Sequence, residues 1–304
     1  MPELPPTPRL SARRSLAAAL LAGALHGPAE ALPVSSSAHV AFVARLAAGR
    51  RGRRPSDPEV AKSVEVGAHA GTLMGLTIGL RGEAVKATRG VLREPRLAAV
   101  TAARIVAASV PAVVGALTLE RQIEDHLGGD RTIAAGLAAG SAAMVVADAL
   151  APGGIVDRRR RPGPAAVGRP WEDGTVVDAL LIGTAQAAAL WPGVSRSGAV
   201  LVAARARGFS REASGKISAA LAVPAVGGAT ALKVVRLGVR LRDGTIDPRH
   251  LTPLLAVTTT GALSGVVASP MARRTLEGLP LWPFAGYRLV LAGALLAADR
   301  RWRR

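Results

Sequence analysis

Glu30-Ala31-Leu32-Pro33-Val34-Ser35-Ser36-Ser37-Ala38-His39 sets a carboxylate, three hydroxyls and an imidazole inside an otherwise apolar segment, and its reading decides the fold. From Ser15 to Ala44 the only charged or titratable side chains are His26, Glu30 and His39. Pro33 lacks an N–H and clashes with the preceding turn, so the segment cannot continue as one helix. It reads as a broken helix whose break is polar.

Outward from that stretch, runs nearly free of charge recur at residues 15–44, 64–80, 97–119, 132–147, 176–200, 217–232, 251–272 and 281–298. Several reach the roughly 20 residues that cross a hydrocarbon core. Soluble amphipathic helices carry charge on one face, whereas here it collects between the runs. With 304 residues and 49% hydrophobic content, the chain is expected to form an all-α, polytopic integral membrane bundle, a single transmembrane domain over residues 1–304.

The net charge of +18 would suit nucleic acid, but its distribution does not. Basic residues cluster between apolar runs, at Arg50, Arg51, Arg53 and Arg54, at Arg89, Arg93 and Arg96, at Arg158 to Arg161, and at Arg300 to Arg304. Cytoplasmic helix ends and anionic head groups select such clusters, so the expected partners include membrane lipids and no nucleic acid. Aromatic residues are only 3%, too few for stacking platforms, and the absence of cysteine excludes disulfides and thiol catalysis. Arg13-Arg14, the apolar stretch to Leu25 and Ala29-Glu30-Ala31 imitate a signal peptide. The expectation is that they are retained, because the apolar stretch continues past Pro33 and cleavage would remove Glu30. Residues 1–9 are Pro-rich and expected to be disordered, and 49–57 to form a basic loop.

A second polar break lies in Gln186-Ala187-Ala188-Ala189-Leu190-Trp191-Pro192-Gly193-Val194-Ser195-Arg196-Ser197-Gly198. An offset of 160 carries His26 to Gln186, Ser35 to Ser195, Ser36 to Arg196 and Ser37 to Ser197. We therefore expect two re-entrant broken-helix elements related by an internal, inverted repeat. The halves are residues 10–150 and 170–300, joined by a Pro/Gly/Arg loop at 151–173. Discontinuous helices in corresponding positions of two halves place a site at their interface, so the two breaks should meet. Another break is expected at Ser109-Val110-Pro111, and close helix packing at Gly136 and Gly140, four residues apart.

A guanidinium inside an apolar segment needs an anion, and the planar fork of Arg196 matches phosphate oxygens. Gly193 and Gly198 let the backbone approach closely, and N–H groups freed at a break form an anion nest. A structural ion pair between Arg196 and Glu30 is the alternative. Serine beside histidine and carboxylate suits nucleophilic chemistry, with His39 as acid or base and Glu30 orienting a partner or holding a metal. Serines in helices also satisfy backbone carbonyls, which remains open for each of Ser35, Ser36 and Ser37. Glu65 and His69 share a helical face and are either functional or a structural bridge between helices. Ser214-Gly215-Lys216-Ile217 is not a phosphate loop, since Ile217 stands where Ser or Thr is required. HExxH, CxxC and GxGxxG are absent.

At these residues the sequence closely resembles bacterial undecaprenyl-diphosphatases of the bacitracin-resistance type. The match is carried by residues 27–39 with LPVSSSAH, 64–73 with VEVGAHAGTL, 182–229 from IGTAQAAALWPGVSRSGAV through GFSREASGKISAALAVPAVGGA, and 284–296 with Tyr287-Arg288. The resemblance implies a multi-pass enzyme of the bacterial plasma membrane, its site facing the outer side. It would hydrolyse the C55 isoprenyl diphosphate to the monophosphate, recycling the carrier for peptidoglycan synthesis and conferring bacitracin resistance. It also implies a divalent cation, magnesium or calcium, and is compatible with a homodimer. Carried over by position, Ser36 is the nucleophile, His39 the acid–base partner, Glu30 the second carboxylate of the acidic motif and Arg196 the phosphate clamp. Ser35, Ser37, Ser195, Ser197, Gly193 and Gly198 would line the phosphates, with Glu30 and His26 toward the metal. His26 departs from the family, which has Glu or Gln there, although helical spacing still puts it on the face of Glu30. A polyprenyl-phosphate flippase and a catalytically inactive lipid-diphosphate-binding paralogue are the competing expectations.

Overall fold

The computed structural model describes residues 12–48, 58–154, 156, 168–244 and 251–303. The Pro-rich lead at 1–9, the loop at 49–57 and the arginine cluster at 158–161 lie outside them. Helices are α1 (Ala12–Ala31), α2 (Ser36–Ala48), α3 (Pro58–Gly79), α4 (Arg81–Arg93), α5 (Pro95–His126), α6 (Asp130–Leu150) and α7 (Val176–Ala187). There follow α8 (Arg196–Ala206), α9 (Arg211–Ala222), α10 (Gly228–Arg242), α11 (Leu251–Glu277) and α12 (Trp282–Arg303). A π turn at Val223–Gly227 joins α9 to α10 where Pro224 withholds an N–H.

Among the described residues there is no strand, and four stretches are long and apolar enough to cross a bilayer: Pro95–Leu119, Asp130–Leu150, Arg211–Arg240 and Leu251–Glu277. Large apolar side chains such as Val267 (75% exposed) and Leu117 (74%) face outward, while small residues fill the contacts between helices. That distribution fits a multi-pass membrane protein, whose helices are held by close packing and not by exclusion of apolar surface from water.

Helix α11 is the central post. It packs against α1 and α3, while α7 packs on α5 and α6 on α12. Gly23 and Gly27 of α1 lie against Thr260 and Ser264, and Gly71 and Gly75 of α3 against the carbonyls of Thr258 and Ala262. A Cβ at any of these four would collide with α11. Ser264 also repairs α1: Pro28 cannot donate to Ala24, and the Ser264 hydroxyl donates there instead, at 2.6 Å.

Both expected breaks occur. α1 ends at Ala31, the chain turns through Leu32 to Val34, and α2 starts at Ser36. α7 gives way to a 3₁₀ turn at Ala188–Leu190, and α8 starts at Arg196. Ser35 (φ 71°) and Ser195 (φ 73°) are the two non-glycine residues with left-handed backbone among those described. Each stands immediately before the first residue of the helix that follows its break.

The break expected at Ser109-Val110-Pro111 does not form, because α5 runs for 32 residues through Pro111. Pro111 withholds only the single bond to the Ala107 carbonyl, a loss that membrane helices tolerate. Helix α5 also extends into the acidic segment after Glu120, ending at His126.

Candidate active site

Glu30 occupies the last turn of α1, and two partners reach it from the two breaks. Ser36 Oγ donates to Glu30 Oε2 at 2.9 Å, and Arg196 Nη2 donates to Glu30 Oε1 at 3.3 Å. The breaks therefore meet on one carboxylate. The ion pair offered as a structural alternative is present, yet it leaves the guanidinium incomplete. Nη1 reaches the Ser218 carbonyl at 3.1 Å, while Arg196 Nε is buried without a partner. Both α2 and α8 begin at the site, so their free N–H groups and helix dipoles favour an anion there.

His39 is nearby but does not bond to Ser36. One turn into α2, its Nδ1 lies 2.7 Å from the Ser35 carbonyl, an acceptor, so Nδ1 carries the proton. Nε2 then accepts from the Tyr287 hydroxyl at 2.7 Å, with the two rings stacked at 9°. Ser35 and Ser37 lie with hydroxyls 3.2 Å apart, and Ser195 and Ser197 repeat that contact at 3.4 Å. Ser195 Oγ caps the start of α8 by accepting from Gly198 N at 3.2 Å. Gly193 (φ +97°) has no room for a Cβ against the Ile133 carbonyl of α6. The expected close packing at Gly136 and Gly140 is directed at this loop, onto Pro192 and Val194.

His26, Glu30 and His69 each offer a ligand atom, all within 4.8 Å of one another. His26 is 1% exposed, and its Nε2 has no hydrogen-bond partner. Gln186, its counterpart at the second break, is also buried, with neither amide atom partnered among the described residues.

Arg288 carries the largest role that the sequence reading left unassigned. Wholly buried on α12, it donates to Pro33 O at 3.3 Å in the first break, and to Gly193 O at 3.0 Å and Val194 O at 2.9 Å in the second. One guanidinium thus grips carbonyls freed by both breaks. Its signal was the one that singled out Arg196, a lone arginine in an apolar run.

The family model for bacitracin resistance protein BacA matches residues 19–294. The chain belongs to the BacA family. Relatives named undecaprenyl-diphosphatase include one from Geobacter sulfurreducens, 35% identical over 92% of this chain and 96% of its own length. Those of Geobacter metallireducens and Sorangium cellulosum are 33% and 32% identical, each over 91% of this chain, covering 95% and 84% of their own lengths. Membership in the BacA family spans both breaks and the Tyr287-Arg288 pair, so the whole polar centre lies inside the matched region.

Proposed function

We propose that this chain is an integral membrane undecaprenyl-diphosphatase that hydrolyses the C55 isoprenyl diphosphate to the monophosphate and inorganic phosphate. The observation that carries the chemistry is the shared carboxylate. Glu30 accepts the Ser36 hydroxyl and pairs with Arg196, whose buried Nε still lacks an acceptor. Membership of the family and its relatives' names supply the substrate class.

In this reading Ser36 Oγ attacks the distal phosphorus as its proton passes to Glu30, and the bridging P–O bond breaks to leave lipid monophosphate. Water then attacks the phosphoserine, its proton passing through the Tyr287 hydroxyl to His39 Nε2; the Oγ–P bond breaks, Ser36 Oγ takes its proton back from Glu30, and inorganic phosphate departs. Arg196, Ser195 and Ser197, with the N-termini of α2 and α8, stabilise charge on the phosphate oxygens. Ser35, Ser37, Gly193 and Gly198 shape that cradle. A divalent cation bound beside Glu30 would balance further charge on the diphosphate. The halves 10–150 and 170–300 act as an inverted repeat with the site between them, supported by the paired breaks and by the crossed packing of α1 on α11 and α7 on α5. The membrane is the bacterial plasma membrane, with the site opening to the outer side.

Purified protein in detergent, given undecaprenyl diphosphate, is expected to release inorganic phosphate. Ser36→Ala and Arg196→Ala should each lower kcat by about 10²–10³-fold. Lipid translocation without phosphate release would replace this reading with a transporter. Tight lipid-diphosphate binding without release would make it an inactive binder.

A further inference from the structure

We propose that His26, Glu30 and His69 form a site for a nitrogen-preferring divalent transition ion, of the zinc class, in place of magnesium or calcium. The role of this ion rests on the phosphatase reading, but its presence does not. Two helices supply the ligands: His26 and Glu30 come from successive turns of α1, and His69 from α3. Glycines at positions 23, 27, 71 and 75 seat both helices closely on α11. Their ligand atoms converge within 4.8 Å, with the two imidazole rings edge to face at 4.5 Å.

Hydrogen bonds at Nδ1 set the tautomer of both rings. The Thr72 hydroxyl donates to the Gly261 carbonyl at 3.4 Å and so accepts from His26 Nδ1–H at 3.0 Å. That relay places the His26 proton on Nδ1 and leaves the lone pair of Nε2 bare. His69 Nδ1–H donates to the Glu65 carbonyl at 3.0 Å, which frees its Nε2 likewise. Histidines that hold metals use this second hydrogen bond to set tautomer and ring direction. A buried acceptor with no donor, His26 Nε2, is the independent sign of a missing ligand. Glu30 has one partner on each oxygen and, having two lone pairs per oxygen, can keep both while facing an ion.

Donor chemistry then selects the ion. Two imidazole nitrogens and one carboxylate match the His₂Glu sets of catalytic zinc sites, which keep a fourth position for water or substrate. Magnesium and calcium take oxygen ligands, and these three residues offer carboxylate oxygen from one side chain only.

The test uses full-length protein without a histidine tag, purified in detergent, stripped with chelator and titrated with Co²⁺ as a spectroscopic stand-in. Visible d–d absorption should saturate at one equivalent, be displaced by Zn²⁺, and persist in a large excess of Mg²⁺ or Ca²⁺. His26→Ala and His69→Ala should abolish it, and His126→Ala, on an exposed part of α5, should not. Thr72→Val removes only the bond that orients His26 and should weaken Co²⁺ binding about 10- to 100-fold. Absence of the band, its survival in both histidine variants, or displacement by equimolar Mg²⁺ would overturn the site. Co²⁺ binding without phosphate release leaves the site standing and sinks the phosphatase reading. Phosphate release with Mg²⁺ and no Co²⁺ binding does the reverse.

Discussion

Arg288 shows how one side chain sets the geometry of the site without touching the reacting groups. Its donors meet carbonyls of Pro33, Gly193 and Val194, with Gly136 O and Leu137 O at 3.5 and 3.4 Å, and no carboxylate pairs with it among the described residues. Each buried carbonyl left unpaired costs about 1–3 kcal/mol, so Arg288→Ala should sharply lower the thermal midpoint in detergent. Arg288→Lys keeps the charge but loses the planar fork. It should stay folded by size exclusion while kcat falls more than KM rises; an unchanged kcat would reduce Arg288 to a structural strut. Glu30, Ser36 and Arg196 were legible because polar groups in an apolar run need a purpose. Arg288 gave the same signal, but its partners are backbone carbonyls, which have no signature in sequence. His39 was legible as a site residue, though its partners were not: its ring turns back to the carbonyl four residues earlier and away from Ser36.

At the scale of elements, glycine spacing decides how closely the helices that carry the ligands approach. Gly71 faces the Thr258 carbonyl across the α3–α11 contact, whereas Gly293 on α12 has nothing within 4 Å of its would-be Cβ. Overpacking of this kind costs about 1–3 kcal/mol, so Gly71→Leu should lower the thermal midpoint and weaken Co²⁺ binding by displacing His69. Gly293→Leu should change neither. Equal effects from the two would show that the α3–α11 approach is not what positions His69. Prolines behaved unevenly for a related reason. Pro33 and Pro192 sit in breaks, but α1 and α11 run through Pro28 and Pro270, as α5 does through Pro111. A neighbour such as Ser264 can supply the missing donor, and only the packed structure shows where one is in reach.

For the whole molecule, charge is placed where helices end. At one end Arg45 of α2 pairs with Asp130 and Asp299, joining α2, α6 and α12. At the other, Asp148 of α6 accepts from Arg211 Nη2 at 2.8 Å and from Leu281 N at 3.1 Å, with Arg205 Nε 4.0 Å away. These two clusters hold α6 and α12 antiparallel across the centre and keep Arg288 over the breaks. Removing one partner of a buried ion pair costs about 3–5 kcal/mol, so Asp148→Ala should unfold near or below the temperature at which the natural protein is stable in detergent. A thermal midpoint within a degree or two of the natural protein would show that this cluster is not a staple.

The sequence by itself determined that the chain is an all-α membrane bundle, that two helices break at related positions, and that Glu30, Ser36 and Arg196 stand out from their surroundings. Those properties are local: an apolar run excludes charge, and proline beside a cluster of hydroxyl and charged groups ends a helix whose continuation would bury them. Only the tertiary structure decided which groups share a partner. It joined Glu30 to Arg196 across 166 residues, put His69 beside His26, and gave Arg288 the carbonyls of both breaks. Those contacts depend on which face of each turn a side chain leaves, and on how closely glycine lets helices approach.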